Sequence, residues 1–185
     1  MIEHIRNIRT SGTIVGSSPF LVRRMLRPIE FDRARTIVQL GVGTGCITRG
    51  ILRRMRPDAH LVSLELNEVF IEENRELTDP RLTLVQGCAS HLPRIATELG
   101  LGPIDYIVSS LPLAIMNPLK VERILRESDR LLAPDGMFLQ YQYSLSERRT
   151  LERRFRDVRV GFTLANIPPA FVYECSPQLA KVSAV

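Results

Sequence analysis

The sequence predicts an α/β domain: a mainly parallel, seven-stranded sheet with an antiparallel last strand and helices on both faces. Three observations carry that prediction. Short runs rich in Val, Ile, Leu and Tyr alternate with helical stretches, turn residues such as Asp-Pro, Gly-Leu-Gly-Pro and Ala-Pro-Asp-Gly mark the joins, and the alternation stops near the end of the chain. Strands separated by helices need crossover connections, which are right-handed and cover both faces of a sheet. Two runs joined without a helix read instead as an antiparallel pair at a sheet edge.

Taken in order, residues 1–35 precede the first strand and form a helical segment packed on the same domain as residues 36–185. Ile2, Ile5 and Ile8 recur at three-residue spacing with Arg6 and Arg9 between them. "SSPFLVRRMLRPI" predicts a helix capped by Ser17 or Ser18, with Pro19 in its first turn and Leu21, Met25 and Leu26 on its apolar side. Ile2, Ile5, Ile8, Phe20, Leu21, Met25 and Leu26, with Arg6, Arg9, Arg23, Arg24 and Arg27, are expected to lie in a membrane interface. The same segment is alternatively a lid over a cofactor, with Thr13, Ser17 and Ser18 facing it, or a helix packed on the sheet with its arginines solvated. Strands are then expected at 36–40, 60–66, 81–87, 105–111 and 136–143, with helices near 45–55, 67–77, 90–99 and 117–132. A basic helix at 145–156 leads into the final two strands, "VRVGFTLAN" and "AFVYECS".

Length and composition narrow the function. The 185 residues suffice for one domain with a real core. The positive charge behind the net +5 is almost all Arg, since Lys occurs only at 120 and 181; it is consistent with an anionic partner or, alternatively, with genomic base composition that enriches Arg. Cys46, Cys88 and Cys175 share no ligand-like spacing with His4, His60 and His91, so neither a metal site nor paired disulfides are expected. No apolar run approaches the ~20 residues that span a bilayer, and the charged N-terminus does not lead into a signal-peptide core. The expected setting is the cytoplasm, with any membrane contact peripheral, at its inner face.

"TIVQLGVGTGCITRGIL" (36–52) carries the chemistry. In a parallel sheet the first strand-to-helix turn lies where ligands bind, and Gly41, Gly43 and Gly45 let the backbone bend and approach one closely. A dinucleotide fingerprint wants its third glycine at Cys46, and no Lys-Ser/Thr pair is present to grip a triphosphate. Glu65 ends the second strand, where a carboxylate can accept from ribose hydroxyls. A ribose acid without phosphate-binding features suits an adenosine ligand lacking phosphate.

"VQLGVGTG", "LVSLEL", "LVQGCAS", "IDYIVSSLPL" and "LLAPDGMFLQ" resemble, in order and spacing, the class I S-adenosylmethionine-dependent methyltransferases, from about residue 10 onward. More narrowly, "SGTIVGSSPFLVRRML", "SSLPL" and "NIPPAFVY" are similar to bacterial phospholipid N-methyltransferases, themselves similar to ribosomal RNA adenine dimethyltransferases. The resemblance implies the Rossmann-like fold of that class, S-adenosylmethionine as cofactor and S-adenosylhomocysteine as product. Its cofactor positions fall on Gln39, Gly41, Gly43, Gly45, Glu65, Leu66, Cys88, Ala89 and Ser109, besides the lid residues. Two positions depart from the pattern: Gln39 stands for an acid that holds the methionine ammonium, and Cys88 for an Asp that accepts the adenine amino group. Restoring the acid, Gln39→Glu, is therefore expected to strengthen binding.

Ser110 in "SSLPL" and Tyr141, paired on one face with Tyr143, are the candidates for positioning the methyl acceptor. The absence of an aromatic after Pro112 counts against a nucleobase. The expected acceptor is the headgroup amine of an aminophospholipid, phosphatidylethanolamine and its methylated derivatives, on an anionic membrane surface. RNA adenine, a small amine, or a non-catalytic cofactor- or lipid-binding role are the alternatives. His91, at a helix start, reads as a surface or capping residue.

Overall fold

The computed structural model describes residues 18–163 and 168–178. Thr13, Ser17, the isoleucines at 2, 5 and 8, Arg6, Arg9 and Asn166 lie outside them. Seven strands form one sheet: β1 (Thr36–Leu40), β2 (His60–Glu65), β3 (Leu82–Gln86), β4 (Ile104–Ser109), β5 (Leu132–Gln142), β6 (Asp157–Thr163) and β7 (Ala170–Ser176). Their spatial order is β3-β2-β1-β4-β5-β7-β6. The helices are α1 (Pro19–Leu26), α2 (Cys46–Leu52), α3 (Glu68–Asn74), α4 (Leu92–Glu98), α5 (Pro118–Leu131) and α6 (Arg148–Arg154).

Strands β1 to β5 pair in parallel, and β7 runs antiparallel to both β5 and β6. The first five strands and β6 therefore end at one common rim. The antiparallel pair is as expected, but β7 is inserted between β5 and β6, so the earlier strand forms the edge. The burial patterns explain the order: β7 is closed on both faces along most of its length, while β6 keeps three exposed residues. The more apolar strand takes the interior place. The Ala-Pro-Asp-Gly stretch, read as a turn, belongs to the irregular start of β5, where the register against β4 shifts between Ile104 and Tyr106.

One face of the sheet is covered by α4, α5 and α6, burying Leu92, Ile124, Leu125, Phe138, Leu151 and Phe155. The other is covered by α1 and α2, around Leu21, Met25, Ile37, Ile51, Leu61 and Val172. Helix α1 starts as predicted, with Ser18 Oγ accepting from the Leu21 amide at 3.1 Å. Its apolar side corrects the membrane expectation for Leu21, Met25 and Leu26, which are sealed in this core, while Phe20 stays exposed. Arg24 is also committed internally: it lies across Gly161 and pairs with Glu174 at 2.8 Å. Without α1 that half of the sheet would be bare, so burial there outcompetes a bilayer. Gly50 permits the close approach, since a Cβ on it would stand 2.8 Å from Val22 and 2.9 Å from Leu26.

Candidate functional site

After Leu40 the chain turns through Gly41 (φ 82°), Gly43 (φ 53°) and Gly45 (φ 76°), left-handed positions that only glycine adopts without strain. A Cβ on Gly45 would also stand 2.0 Å from Asn74 Oδ1, whereas one on Gly43 would meet nothing within 4 Å. The turn is thus packed at its ends and bare in the middle. Its carbonyls are held from three elements. Asn74 Nδ2 donates to Gly43 O at 2.8 Å, Ser110 Oγ to Gly41 O at 2.9 Å, and Arg49 Nη1 to Thr44 O at 3.0 Å.

Gln39 stands behind the turn, fully buried. Its Nε2 donates to Gly41 O at 3.0 Å, while its Oε1 accepts from Thr48 Oγ1 at 2.8 Å and Ser63 Oγ at 3.3 Å. An amide is needed here because one end must donate and the other accept. The residue therefore shapes the turn from beneath, with its amide oxygen already shared by two hydroxyls.

Glu65 lies on the wall of the crevice with its carboxylate fully engaged. Oε2 accepts from the Val42 and Gly43 amides at 2.9 and 3.0 Å, and Oε1 from the Leu66 and Asn67 amides at 2.8 and 2.9 Å. It ties the glycine turn to the start of α3. Ribose hydroxyls reaching this carboxylate would share or replace those donors.

The crevice itself is lined by Gly41, Glu65, Leu66, Cys88, Ala89 and Leu111, with Leu64, Gly87, Met116 and Lys120 completing the wall. Cys88 Sγ lies 3.0 Å from Ser90 Oγ and 3.5 Å from the Ser90 amide. Partial burial works against a thiolate, but the Ser90 hydrogen bonds and the Lys120 ammonium outweigh it and hold Cys88 below the ordinary thiol range. His91 is exposed and makes no side-chain cap.

On the β4 and β5 side, Ser109 is buried and accepts from the Leu111 amide at 3.4 Å. Gln140 and Gln142 both donate to Leu111 O, at 3.0 and 2.8 Å, so this carbonyl is saturated and the Ser110–Leu113 loop is braced from below. Tyr141 is half-buried, its ring meeting Tyr143 edge-on at 5.7 Å, as their shared face predicts. The structure thus gathers Gly41, Glu65, Leu66, Cys88 and Ala89 at one crevice and Ser110 at its edge. Asn74, Lys120, Gln140 and Gln142 escaped the sequence reading. Lys120 had a signal, as one of two lysines in an Arg-rich chain, and Asn74 another, as a poor helix former inside a helical stretch.

Bare backbone at Gly43, a carboxylate on one wall and aliphatic Leu66, Leu111 and Met116 on the others fit a nucleoside. The fold and this crevice define an enzyme of the class I type that works on an adenosine-bearing cofactor. The family model described as a methyltransferase domain matches residues 37–136. An ornithine lipid N-methyltransferase from Singulisphaera acidiphila is 34% identical over 89% of this chain and 87% of its own length. A ubiquinone/menaquinone biosynthesis C-methyltransferase from Methylobacterium nodulans is 30% identical over 69% of the chain, which spans about half of that relative (49%). Among solved structures, a precorrin-6y C5,15-methyltransferase from Geobacter metallireducens superposes with a TM-score of 0.70, at 14% identity, over 90% of this chain and 92% of that one. An O-methyltransferase from Bacillus cereus in complex with SAH gives 0.66 at 15% identity, over 95% and 90%. The chain belongs to the methyltransferase domain family, and it is an S-adenosylmethionine-dependent methyltransferase.

Proposed function

We propose that this enzyme methylates the amine of an aminolipid headgroup. The observation that carries the reading is the 34% identity, over nearly the whole chain, to an ornithine lipid N-methyltransferase. Phosphatidylethanolamine, expected from the sequence, and ornithine lipid present the same chemistry to the site: a primary amine tethered to acyl chains. The edge of the crevice is compatible with it, since the Ser110–Leu113 loop offers a hydroxyl and aliphatic side chains but no ring on which a base could stack.

S-adenosylmethionine, when bound, supplies an electrophilic methyl group on a sulfonium. We assign its ribose to the Glu65 side of the crevice and its adenine to Leu66, Cys88 and Ala89, with Gly41 and Gly43 presenting open backbone to the rest. Gln39 acts through Gly41 by holding the turn. The acceptor amine must arrive neutral, which costs about 4 kcal/mol at pH 7 for a group with an ordinary alkylamine pKa. Ser110 Oγ already spends its one proton on Gly41 O. Toward a substrate it can therefore only accept, which orients an amine N–H and leaves the nitrogen lone pair free for in-line attack.

Radiolabel transfer from S-adenosylmethionine to a panel of phosphatidylethanolamine, ornithine lipid, RNA and small amines tests the reading. Label in one or both lipids is expected, with a rate that rises with pH as the amine deprotonates. Label confined to RNA or to small amines would overturn it.

A further inference from the structure

We propose that the carboxyl-end rim above β4, β5, β7 and β6 is the surface by which this enzyme seats on a lipid bilayer, with its crevice facing the headgroups. The inference rests on the aminolipid reading for its purpose, but not for its geometry. Large apolar side chains exposed to solvent are distributed very unevenly between the two ends of the sheet. Phe20 opens α1, Leu66 and Val69 follow β2 beside the crevice, Ile115 lies in the turn after β4, Leu119 is the second residue of α5, Tyr143 and Leu145 follow β5, and Phe162 is near the end of β6. Every one of these positions belongs to the rim where the parallel strands end. At the opposite rim the described residues include one comparable side chain, Leu99, which follows α4.

Single exposed apolar residues are ordinary, but their confinement to the one end that carries the crevice is not. Leu119 is 82% exposed at a helix start, where no fold requirement holds an apolar residue. The polar neighbours complement an anionic surface. Helix α6, "RRTLERR", begins at this rim; Arg148 pairs with Glu152 and Arg154 with Glu122, while Arg149 and Lys120, beside the apolar positions, supply positive charge toward a surface. A bilayer is also the occupant that the chemistry requires. Withdrawing a whole lipid would expose every methylene of its chains to water, whereas a mouth pressed against the interface receives the headgroup without extraction.

The test is flotation of the full chain with vesicles of phosphatidylglycerol and phosphatidylcholine. The parent is compared with a variant carrying Ile115→Ser, Leu119→Ser, Leu145→Ser and Phe162→Ser, and with Leu99→Ser as the opposite-rim control. None of the four lies in the cofactor crevice, so S-adenosylhomocysteine affinity and thermal midpoint serve as checks that the variant is folded. We expect the four-fold variant to lose at least about tenfold in vesicle binding, and Leu99→Ser to bind like the parent. Methylation of vesicle-embedded aminolipid should fall in parallel, while a short-chain aminolipid dispersed as monomers is methylated at the parental rate. A folded variant that floats like the parent overturns the proposal, and so does loss of a dimer on sizing, which would make a second copy the occupant. A variant that fails the folding checks is replaced by Leu119→Ser with Leu145→Ser, read in the same way. Should the parent float through this rim yet label no lipid, the aminolipid reading fails while the docking surface stands.

Discussion

At the amino ends of the strands, Asp105 accepts the backbone amides of Arg35 and Thr36 at 2.7 and 2.9 Å, tying β1 to β4. Nearby, Arg81 grips Asp79 with two nitrogens and donates to the Leu52 and Met55 carbonyls at 2.9 Å, closing the end of α2. Arg56 does the same for Asp58 and the Asp32 carbonyl. At the carboxyl ends the chain instead presents three left-handed glycines, a carboxylate holding backbone amides and a ring of exposed apolar side chains. One rim satisfies its charges within the chain; the other leaves backbone and apolar surface for something else. The difference teaches that the arginine excess, read from composition as a sign of an anionic partner, is partly spent on internal ties, and that partner-facing surface must be sought at the other end.

That contrast can be broken from either side. The largest effect is expected at the amino rim: Arg81→Ala removes a paired charge and the donor to two helix-terminal carbonyls. It should cost about 3 kcal/mol of stability, read as a shift in urea midpoint, with S-adenosylhomocysteine affinity unchanged in the native baseline. Glu65→Ala acts at the carboxyl rim and should do both things at once. Calorimetry should show at least about tenfold weaker S-adenosylhomocysteine binding, and the melt a loss of about 2 kcal/mol, because four backbone amides lose their acceptor. Unchanged affinity would show that the ribose is held elsewhere.

Gln39→Glu sharpens the same point with a smaller effect and a reversed sign. The sequence pattern suggests that the acid should tighten binding. The buried geometry turns a carboxylate toward Gly41 O and removes the donor that holds it, so stability should fall by about 1–2 kcal/mol and affinity should not improve. Tighter binding of the cofactor by this variant, measured calorimetrically, would restore the ammonium role. The smallest effect concerns acid. Hydrogen bonds from Arg81 hold Asp79 down at about 2, below its usual value. A carboxylate lowered on folding stabilises above its unfolded value and stops doing so as pH falls through the folded one. The gap in urea midpoint between the parent and Asp79→Asn should therefore be full at neutral pH and close between about pH 4 and pH 2.

Much of this architecture was legible in the order of residues. Alternating apolar runs and helical stretches placed all seven strands to within a few residues, because period and turn chemistry are local properties. Glycines at 41, 43 and 45 announced a left-handed turn for the same reason: only that residue type takes those angles cheaply. Ser18 at a helix start and the helix-free join before "AFVYECS" were equally local.

What no local pattern contained was which side of each element would meet which neighbour. The apolar stripe of α1 is compatible with a bilayer or with a sheet, and only the uncovered face over β5, β6 and β7 decided between them. The insertion of β7 inside β6 depended on comparing the burial of two strands that sequence lists as equals. That Thr48 and Ser63, distant in sequence, use the oxygen of Gln39 was equally invisible in the local pattern. Asn74 and Lys120 entered the site from helices whose rotation is set by packing. The chain by itself therefore determined the elements, their succession and the cofactor turn, because these follow from backbone angles and periodicity within short stretches. Tertiary structure alone decided which charges are spent internally and which apolar residues are left at the rim, because each depends on long-range contacts that exclude water from one side chain and not from its neighbour.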